Sequence, residues 1–106
     1  MNVLIVDDER EIGNCIKNIL ELSHEVSVVD NPFEVKTMDP KKFDAIIVDM
    51  NMPGMNGLEV LAFVKEQNPQ IKSILISGGD CPDSDLVDHF VQKPTSLFDL
   101  EDILSV

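Results

Sequence analysis

The chain has 106 residues, 43% of them hydrophobic, which suits a single domain with limited surplus stability. Its 20 acidic and 8 basic residues give a formal net charge of −12, which disfavours binding to nucleic acid or to an anionic membrane, because both depend on Lys and Arg. The sequence shows neither a signal peptide nor an apolar run long enough for a membrane span, so a cytoplasmic location is expected.

Strand-like and helix-like segments alternate along the sequence, which predicts an α/β fold with a parallel sheet. Strands are predicted over residues 3–6, 25–29, 44–48, 72–76 and 89–92, and the first and third of them contain unbroken apolar runs. The first helix is predicted from an apolar stripe at i, i+4, i+7 and i+8, formed by Ile12, Ile16, Ile19 and Leu20. Cys15 lies among these residues and is predicted to be a small core residue. Further helices are predicted over 32–38, 57–67 and 97–104.

The fourth connection is predicted to lack a full helix. Residues 77–88 are about the minimum length for a parallel crossover, and Gly78, Gly79 and Pro82 occupy the first half of it. Only residues 83–88 have room to be helical, which is little more than one turn at about 3.6 residues per turn. The helix before the fifth strand is therefore expected to be missing or reduced to a single turn.

Charged and polar residues follow four of the predicted strands. Asp7 and Asp8 follow the first strand, Asp49 begins the segment Asp-Met-Asn-Met-Pro-Gly-Met-Asn-Gly after the third, Ser77 follows the fourth, and Lys93 and a proline follow the fifth. Because the carboxyl ends of parallel strands meet at one edge of a sheet, the carboxylates are predicted to share a crevice there. Like charges gathered in this way favour a bound cation. Taken alone, each of these polar residues has an ordinary explanation; Asp7 and Asp8, for example, could cap the first helix.

In this order, the four signatures resemble the receiver domain of bacterial two-component response regulators, and the resemblance extends from about residue 2 to residue 104. It implies one receiver domain over residues 1–106, with a flavodoxin-like (CheY-like), doubly wound, five-stranded parallel sheet in the order 2-1-3-4-5. The shortened fourth connection indicates a variant with a degenerate fourth helix.

The resemblance implies that Asp49 accepts a phosphoryl group from a sensor histidine kinase or a phosphotransfer protein. A carboxylate that attacks an anionic phosphoryl group needs positive charge nearby, and Mg²⁺ (or Mn²⁺), which favours oxygen ligands, supplies it. By the same resemblance, the ion is held by Asp8, Asp49 and the backbone carbonyl of Asn51, with Asp7 bound through water. The protein is then a phosphotransfer acceptor with self-dephosphorylation rather than a conventional enzyme.

The resemblance also assigns roles to three residues around the phosphoryl group. Lys93 pairs with Asp49 at rest and with phosphoryl oxygens afterwards, and the Ser77 hydroxyl donates to one of those oxygens. Phosphorylation draws Ser77 toward the phosphoryl group and turns Phe90 inward, which alters an output surface for an unknown downstream protein. Residues 78–88 are expected to become ordered in the same step. The chain then acts as a monomer or as a phosphorylation-dependent dimer.

Three other functions fit parts of the sequence. A phosphorylation-independent pseudo-receiver, acting as a protein interaction module, is favoured by the degenerate fourth connection. It is opposed by the intact site residues, which are Asp8, Asp49, Ser77 and Lys93. A phosphatase with an aspartate nucleophile would have Asp-x-Asp after the first strand, where this chain has adjacent Asp7 and Asp8. A flavodoxin-like electron carrier is disfavoured because the chain has no Trp or Tyr to stack on a flavin.

Overall fold

Five parallel strands form one sheet in the computed structural model, which describes residues 1–105. They are β1 Asn2–Val6, β2 Glu25–Val29, β3 Ala45–Asp49, β4 Lys72–Ser77 and β5 His89–Gln92. Their order across the sheet is β2-β1-β3-β4-β5, and every adjacent pair is parallel. The predicted α/β fold, flavodoxin-like (CheY-like) and doubly wound, is confirmed together with its strand order.

Within the part of the chain that the structure describes, there are three α-helices and two 3₁₀ helices, and the last α-helix follows β5. The α-helices are α1 Arg10–Leu20, α2 Gly57–Gln67 and α3 Leu97–Leu104, and the 3₁₀ helices are Pro32–Thr37 and Pro40–Lys42. The short helix predicted over 32–38 is thus a 3₁₀ helix, which begins where the Asn31 side chain accepts a hydrogen bond from the Phe33 amide (3.0 Å). Among residues 1–105, no helix combines the length and the apolar composition needed to cross a membrane.

The helices cover both faces of the sheet. On one face, Ile16 of α1 and Leu100 of α3 belong to a hydrophobic core that includes Ile47 of β3. On the other face, Leu61 of α2 belongs to a second core that includes Ile46, the preceding residue of β3. Because successive side chains of a strand point to opposite faces, a sheet covered on both sides needs unbroken apolar strands. This arrangement explains the apolar runs in the sequence.

The buried face of α1 differs from the predicted apolar stripe. Ile12 and Ile19 are 37% and 39% exposed, whereas the other two stripe residues are buried. Gly13 is buried instead, and a Cβ built there would lie 3.0 Å from Val28 Cγ1. The helix therefore approaches the sheet closely at a residue without a side chain, and Ile12 and Ile19 lie toward solvent. The prediction that Cys15 is a core residue is wrong, because Cys15 is exposed.

The connection from β4 to β5 has no helix, as predicted. Residues 78–88, all of which the structure describes, form bends and one turn in which the Val87 amide donates to Ser84 O (3.4 Å). Leu86 and Val87 are half-buried against the core on the α2 face. These two side chains shield part of the sheet that a crossover helix would otherwise cover.

Candidate functional site

Asp49 is the last residue of β3 and lies at the carboxyl edge of the sheet. Its side chain is only 3% exposed, and its Oδ2 accepts a hydrogen bond from Lys93 Nζ at 3.2 Å. Its Oδ1 accepts a longer bond from the Asn51 amide at 3.4 Å. The amide of Met50, the residue directly after Asp49, donates to Ile76 O in β4 (2.8 Å). The backbone beside the carboxylate is therefore held to the sheet. Asp49 is thus a buried, firmly held carboxylate with one cationic partner.

Asp7 and Asp8 bring two more carboxylates to this place because β1 lies beside β3. Asp7 is buried and Asp8 is exposed. One carboxylate oxygen from each of Asp7, Asp8 and Asp49 lies within 4.8 Å of the other two. Oxygen ligands about 2.1 Å from Mg²⁺ lie roughly 3 to 4 Å apart, so small side-chain rotations would bring these oxygens to coordinating distance. The all-oxygen donor set fits Mg²⁺ or Mn²⁺.

Asp7 shows the electrostatic effect of burial beside other charged groups. Burial raises the pKa of Asp7 from 3.8 to about 6, although a hydrogen bond from the Glu9 amide to its Oδ1 (2.9 Å) lowers it. The charge of Asp49 raises the pKa further, and the charge of Lys93 offsets part of that rise. Three carboxylates thus face the single ammonium group of Lys93, and a divalent cation would relieve the remaining repulsion.

Lys93 and Ser77 reach the cluster from the neighbouring strands. Lys93 follows β5, its amide donates to Ser77 O (2.9 Å), and the Lys93–Pro94 peptide bond is cis. Ser77 ends β4, is buried, and its Oγ accepts a hydrogen bond from the Gly79 amide (3.1 Å). Because that oxygen acts as an acceptor here, the proton of the Ser77 hydroxyl stays available for an acceptor at the edge of the sheet.

Two glycines shape the segment after Asp49. Gly54 has φ +82°, and a Cβ there would lie 2.8 Å from the Phe33 ring. Gly57 begins α2 so close to β3 that a Cβ would lie 2.8 Å from the carbonyl oxygen of Asp49. The sequence Met-Pro-Gly-Met-Asn-Gly therefore allows the helix to start directly beside the backbone at the end of β3.

The structure brings five predicted site residues together at this edge, namely Asp7, Asp8, Asp49, Ser77 and Lys93. Asn51 is exposed on the segment that follows Asp49. Phe90 packs within β5 as a half-buried residue of the core on the α2 face. Its switching role, like the direct or water-mediated ligation by Asp7 and Asp8, remains a prediction.

Sequence reasoning missed three residues that support the site. Asn56 and Glu59 form a capping box at the start of α2, in which Asn56 Oδ1 accepts from the Glu59 amide (2.9 Å) and Glu59 Oε1 accepts from the Asn56 amide (3.1 Å). Their Asn-x-x-Glu spacing is a recognisable signal for such a cap. Gly79, which orients the Ser77 hydroxyl, has a weaker signal, because a serine bonds an amide two residues later in many turns.

Comparisons with known proteins agree with this geometry. A sequence profile described as the response regulator receiver domain matches residues 3–104. Chemotaxis protein CheY of Listeria monocytogenes is 39% identical over 80 residues, which are 73% of this chain and 67% of that protein. The C4-dicarboxylate transport transcriptional regulatory protein DctD of Pseudomonas aeruginosa is 32% identical over 83 residues, which are 76% of this chain but only 18% of that protein. The crystal structure of response regulator protein TrrA of Thermotoga maritima in complex with Mg²⁺–BeF covers 98% of this chain and 96% of that chain, with a TM-score of 0.85 and 28% identity.

Proposed function

The chain belongs to the response regulator receiver domain family, and from that premise we propose that Asp49 accepts a phosphoryl group from a sensor histidine kinase or a phosphotransfer protein. The observation that carries this proposal is a buried carboxylate at a strand end, surrounded by two more carboxylates and one ammonium group. The likeness to TrrA, whose structure contains Mg²⁺–BeF, supports a divalent cation in the same place.

In the proposed reaction, a carboxylate oxygen of Asp49 attacks the phosphorus of a phosphohistidine. The oxygen–phosphorus bond forms as the phosphorus–nitrogen bond breaks, and the imidazole leaves with the electron pair and takes up a proton from solvent. Negative charge spreads over the phosphoryl oxygens during transfer, and Lys93, 3.2 Å from Asp49 Oδ2, is a cation that the protein itself supplies at this position. Later, water attacks the phosphorus of the acyl phosphate, the bond from phosphorus to the Asp49 oxygen breaks, and inorganic phosphate leaves with Asp49 restored as a carboxylate.

Mg²⁺ or Mn²⁺ is the proposed cofactor. Asp8 and Asp49 would hold it directly, together with the backbone carbonyl of Asn51, and Asp7 would hold it through water. When bound, the ion reduces the repulsion between the attacking carboxylate and the phosphoryl group. The proximity of the three carboxylates and the raised pKa of Asp7 support this assignment.

Ser77 and Phe90 are the proposed switch residues. The Ser77 hydroxyl would donate to a phosphoryl oxygen, and Phe90 would turn inward behind it. The surface that changes would consist of β5, α3 and the helix-free residues 78–88. A downstream protein in the cytoplasm would bind this surface, with the chain as a monomer or as a phosphorylation-dependent dimer.

One alternative has an observation in its favour. A phosphorylation-independent pseudo-receiver, which acts only as a protein interaction module, fits the loss of the helix between β4 and β5. The presence of Asp49, Lys93 and the three-carboxylate cluster opposes it.

Intact mass after incubation with a small acyl-phosphate donor tests the proposal. The wild-type protein is expected to gain one phosphoryl group with Mg²⁺ and none without it, and Asp49→Asn is expected to gain none. Asp39→Asn removes a carboxylate from the cap of the second 3₁₀ helix and is the matched control, expected to behave as wild type. A folded wild-type protein that gains nothing from this donor and nothing from a phosphorylated histidine phosphotransfer protein would overturn the proposal in favour of the interaction module.

A further inference from the structure

The helix-free connection ends in a cluster of three polar residues that the proposed reaction does not use. Asp88 Oδ2 accepts hydrogen bonds from Lys65 Nζ (2.6 Å) and from the backbone amide of Ser73 (2.9 Å). The Ser73 hydroxyl accepts a bond from the Asp88 amide (2.9 Å) and donates one to Leu86 O (2.6 Å). Lys65, Ser73 and Asp88 are called the Asp88 clamp below.

The Asp88 clamp is partly shielded from water. Ser73 is fully buried in β4, the Lys65 side chain is 16% exposed and that of Asp88 is 39% exposed. Burial alone would raise the pKa of Asp88, but the hydrogen bonds from Lys65 and Ser73 outweigh it and lower the pKa below its ordinary value. The charged form of Asp88 is thus stabilised in this position, at the end of the connection.

The clamp joins three elements of the fold at the start of β5. Asp88 directly precedes β5, Lys65 lies in the last turn of α2, and Ser73 lies in β4. β5 has four residues and lies at the edge of the described sheet, where β4 is its neighbour. A slip of one residue in a strand reverses the face toward which every side chain points. The register of β5 therefore decides where Lys93, the residue that follows it, is directed.

We propose that Asp88 is a positioning residue, which fixes the register of β5 and thereby keeps Lys93 Nζ beside Asp49. At the other end of β5, the Lys93 amide donates to Ser77 O (2.9 Å). Hydrogen bonds thus hold both ends of the four-residue strand β5, although no helix precedes it. This fixed strand places the ammonium group of Lys93 at the site. The effect on the reaction rests on the proposed function, whereas the effect on β5 does not.

Amide hydrogen exchange tests the structural half of this proposal. Asp88→Ala removes the acceptor of both Oδ2 bonds, and exchange at the Lys93 amide is expected to become about tenfold faster. Asp44→Ala is the matched control, since Asp44 directly precedes β3 and accepts a backbone bond from Asn2 (2.8 Å), but β3 is paired on both sides. Exchange at Lys93 is expected to be unchanged in that control. Unchanged exchange in Asp88→Ala would overturn the proposal.

A milder variant covers the case in which Asp88→Ala does not fold. Asp88→Asn keeps an oxygen acceptor for the Ser73 amide and loses only the charge that pairs with Lys65. It is expected to accelerate exchange at Lys93 in the same direction by a smaller factor. Wild-type exchange in this variant, if Asp88→Ala is unfolded, would also overturn the proposal.

Phosphorylation kinetics test the second part of the proposal, the effect of Asp88 on the reaction through Lys93. A displacement of about 1 Å costs up to a hundredfold in rate, so Asp88→Ala is expected to slow phosphorylation of Asp49 about tenfold or more. Mg²⁺ affinity is expected to be unchanged, because Lys93 is not a ligand, and a general loss of structure would not produce this split. In a Lys93→Met background, Asp88→Ala is expected to cause no further loss.

The outcomes separate the two proposals. If Asp88→Ala slowed phosphorylation equally in the wild-type and Lys93→Met backgrounds, Asp88 would not act through Lys93. That result would overturn the inference. A wild-type protein that takes up no phosphoryl group would defeat the proposed function instead, and exchange at Lys93 would still decide whether Asp88 fixes β5.

Discussion

Asp7→Asn is expected to stabilise the metal-free protein at neutral pH and to leave its stability nearly unchanged in acid. Burial raises the pKa of Asp7 from 3.8 to about 6, so the folded protein binds a proton at Asp7 more tightly than the unfolded chain does. Below pH 3.8, Asp7 is protonated in both states and carries no penalty. As the pH rises from 3.8 through about 6, ionisation in the unfolded state comes first, and the folded state loses stability.

The size of the effect follows from the same two pKa values. One pKa unit corresponds to about 1.36 kcal/mol, so the full penalty above pH 6 is about 3 kcal/mol. Asparagine removes the charge and keeps an oxygen that accepts the hydrogen bond of the Glu9 amide (2.9 Å). For a domain of this size, a gain of about 3 kcal/mol corresponds to a melting temperature higher by about 12 °C or more.

Urea denaturation in EDTA, at about pH 4 and about pH 7.5, measures this difference. The gain from Asp7→Asn is expected to approach about 3 kcal/mol at the higher pH and to fall below about 1 kcal/mol at the lower one. Asp8→Asn is the control, because Asp8 is exposed and its replacement is expected to change stability by at most about 0.5 kcal/mol. Equal stability of wild type and Asp7→Asn at pH 7.5, or an equal gain at both pH values, would refute the reasoning.

Two further predictions concern the same edge of the sheet. Gly57→Ala is expected to lower the free energy of unfolding in urea by about 1 to 3 kcal/mol, because the new Cβ would lie 2.8 Å from Asp49 O and 2.7 Å from Leu75 Cδ1. Gly78→Ala is its control, because no atom lies within 4 Å of the new Cβ, and it is expected to leave stability unchanged or to raise it by up to about 1 kcal/mol. Equal losses of unfolding free energy in the two variants would contradict the steric argument. Mg²⁺ affinity measured by calorimetry is expected to fall about tenfold from pH 7 to pH 5 as a proton competes at Asp7. Asp7→Asn should remove this pH dependence, and an equally steep dependence in that variant would assign the proton to another group.

The sheet could be predicted from the sequence largely because β1, β3 and β4 each contain an apolar run that leads into a charged or polar residue. Residues 45–48 illustrate this, since both faces of β3 are buried and neither face required a polar side chain. The absence of a helix before β5 was equally predictable, because Gly78, Gly79 and Pro82 left too few residues for one. The carboxylates could be placed together because strand ends of a parallel sheet share one edge.

Other features depend on contacts that no local pattern records. The rotation of α1 was mispredicted because the apolar stripe is compatible with more than one orientation, and the close approach at Gly13 selects the orientation that exposes Ile12 and Ile19. The Asp88 clamp was missed because Lys65 and Asp88 are 23 residues apart in the chain. Neither residue type nor spacing indicates that these two side chains meet.

The two edge strands of the sheet, β5 and β2, bear on self-association of the protein. An edge strand offers unpaired backbone groups to which a strand of another molecule could add, and long flat edges are prone to this. β5 offers only four residues and is followed by Lys93 and Pro94, a charge and a residue without an N–H. At the opposite edge β2 begins with the exposed Glu25, and the net charge of −12 adds mutual repulsion between molecules. Neither edge strand of the described sheet is therefore suited to amyloid-like growth.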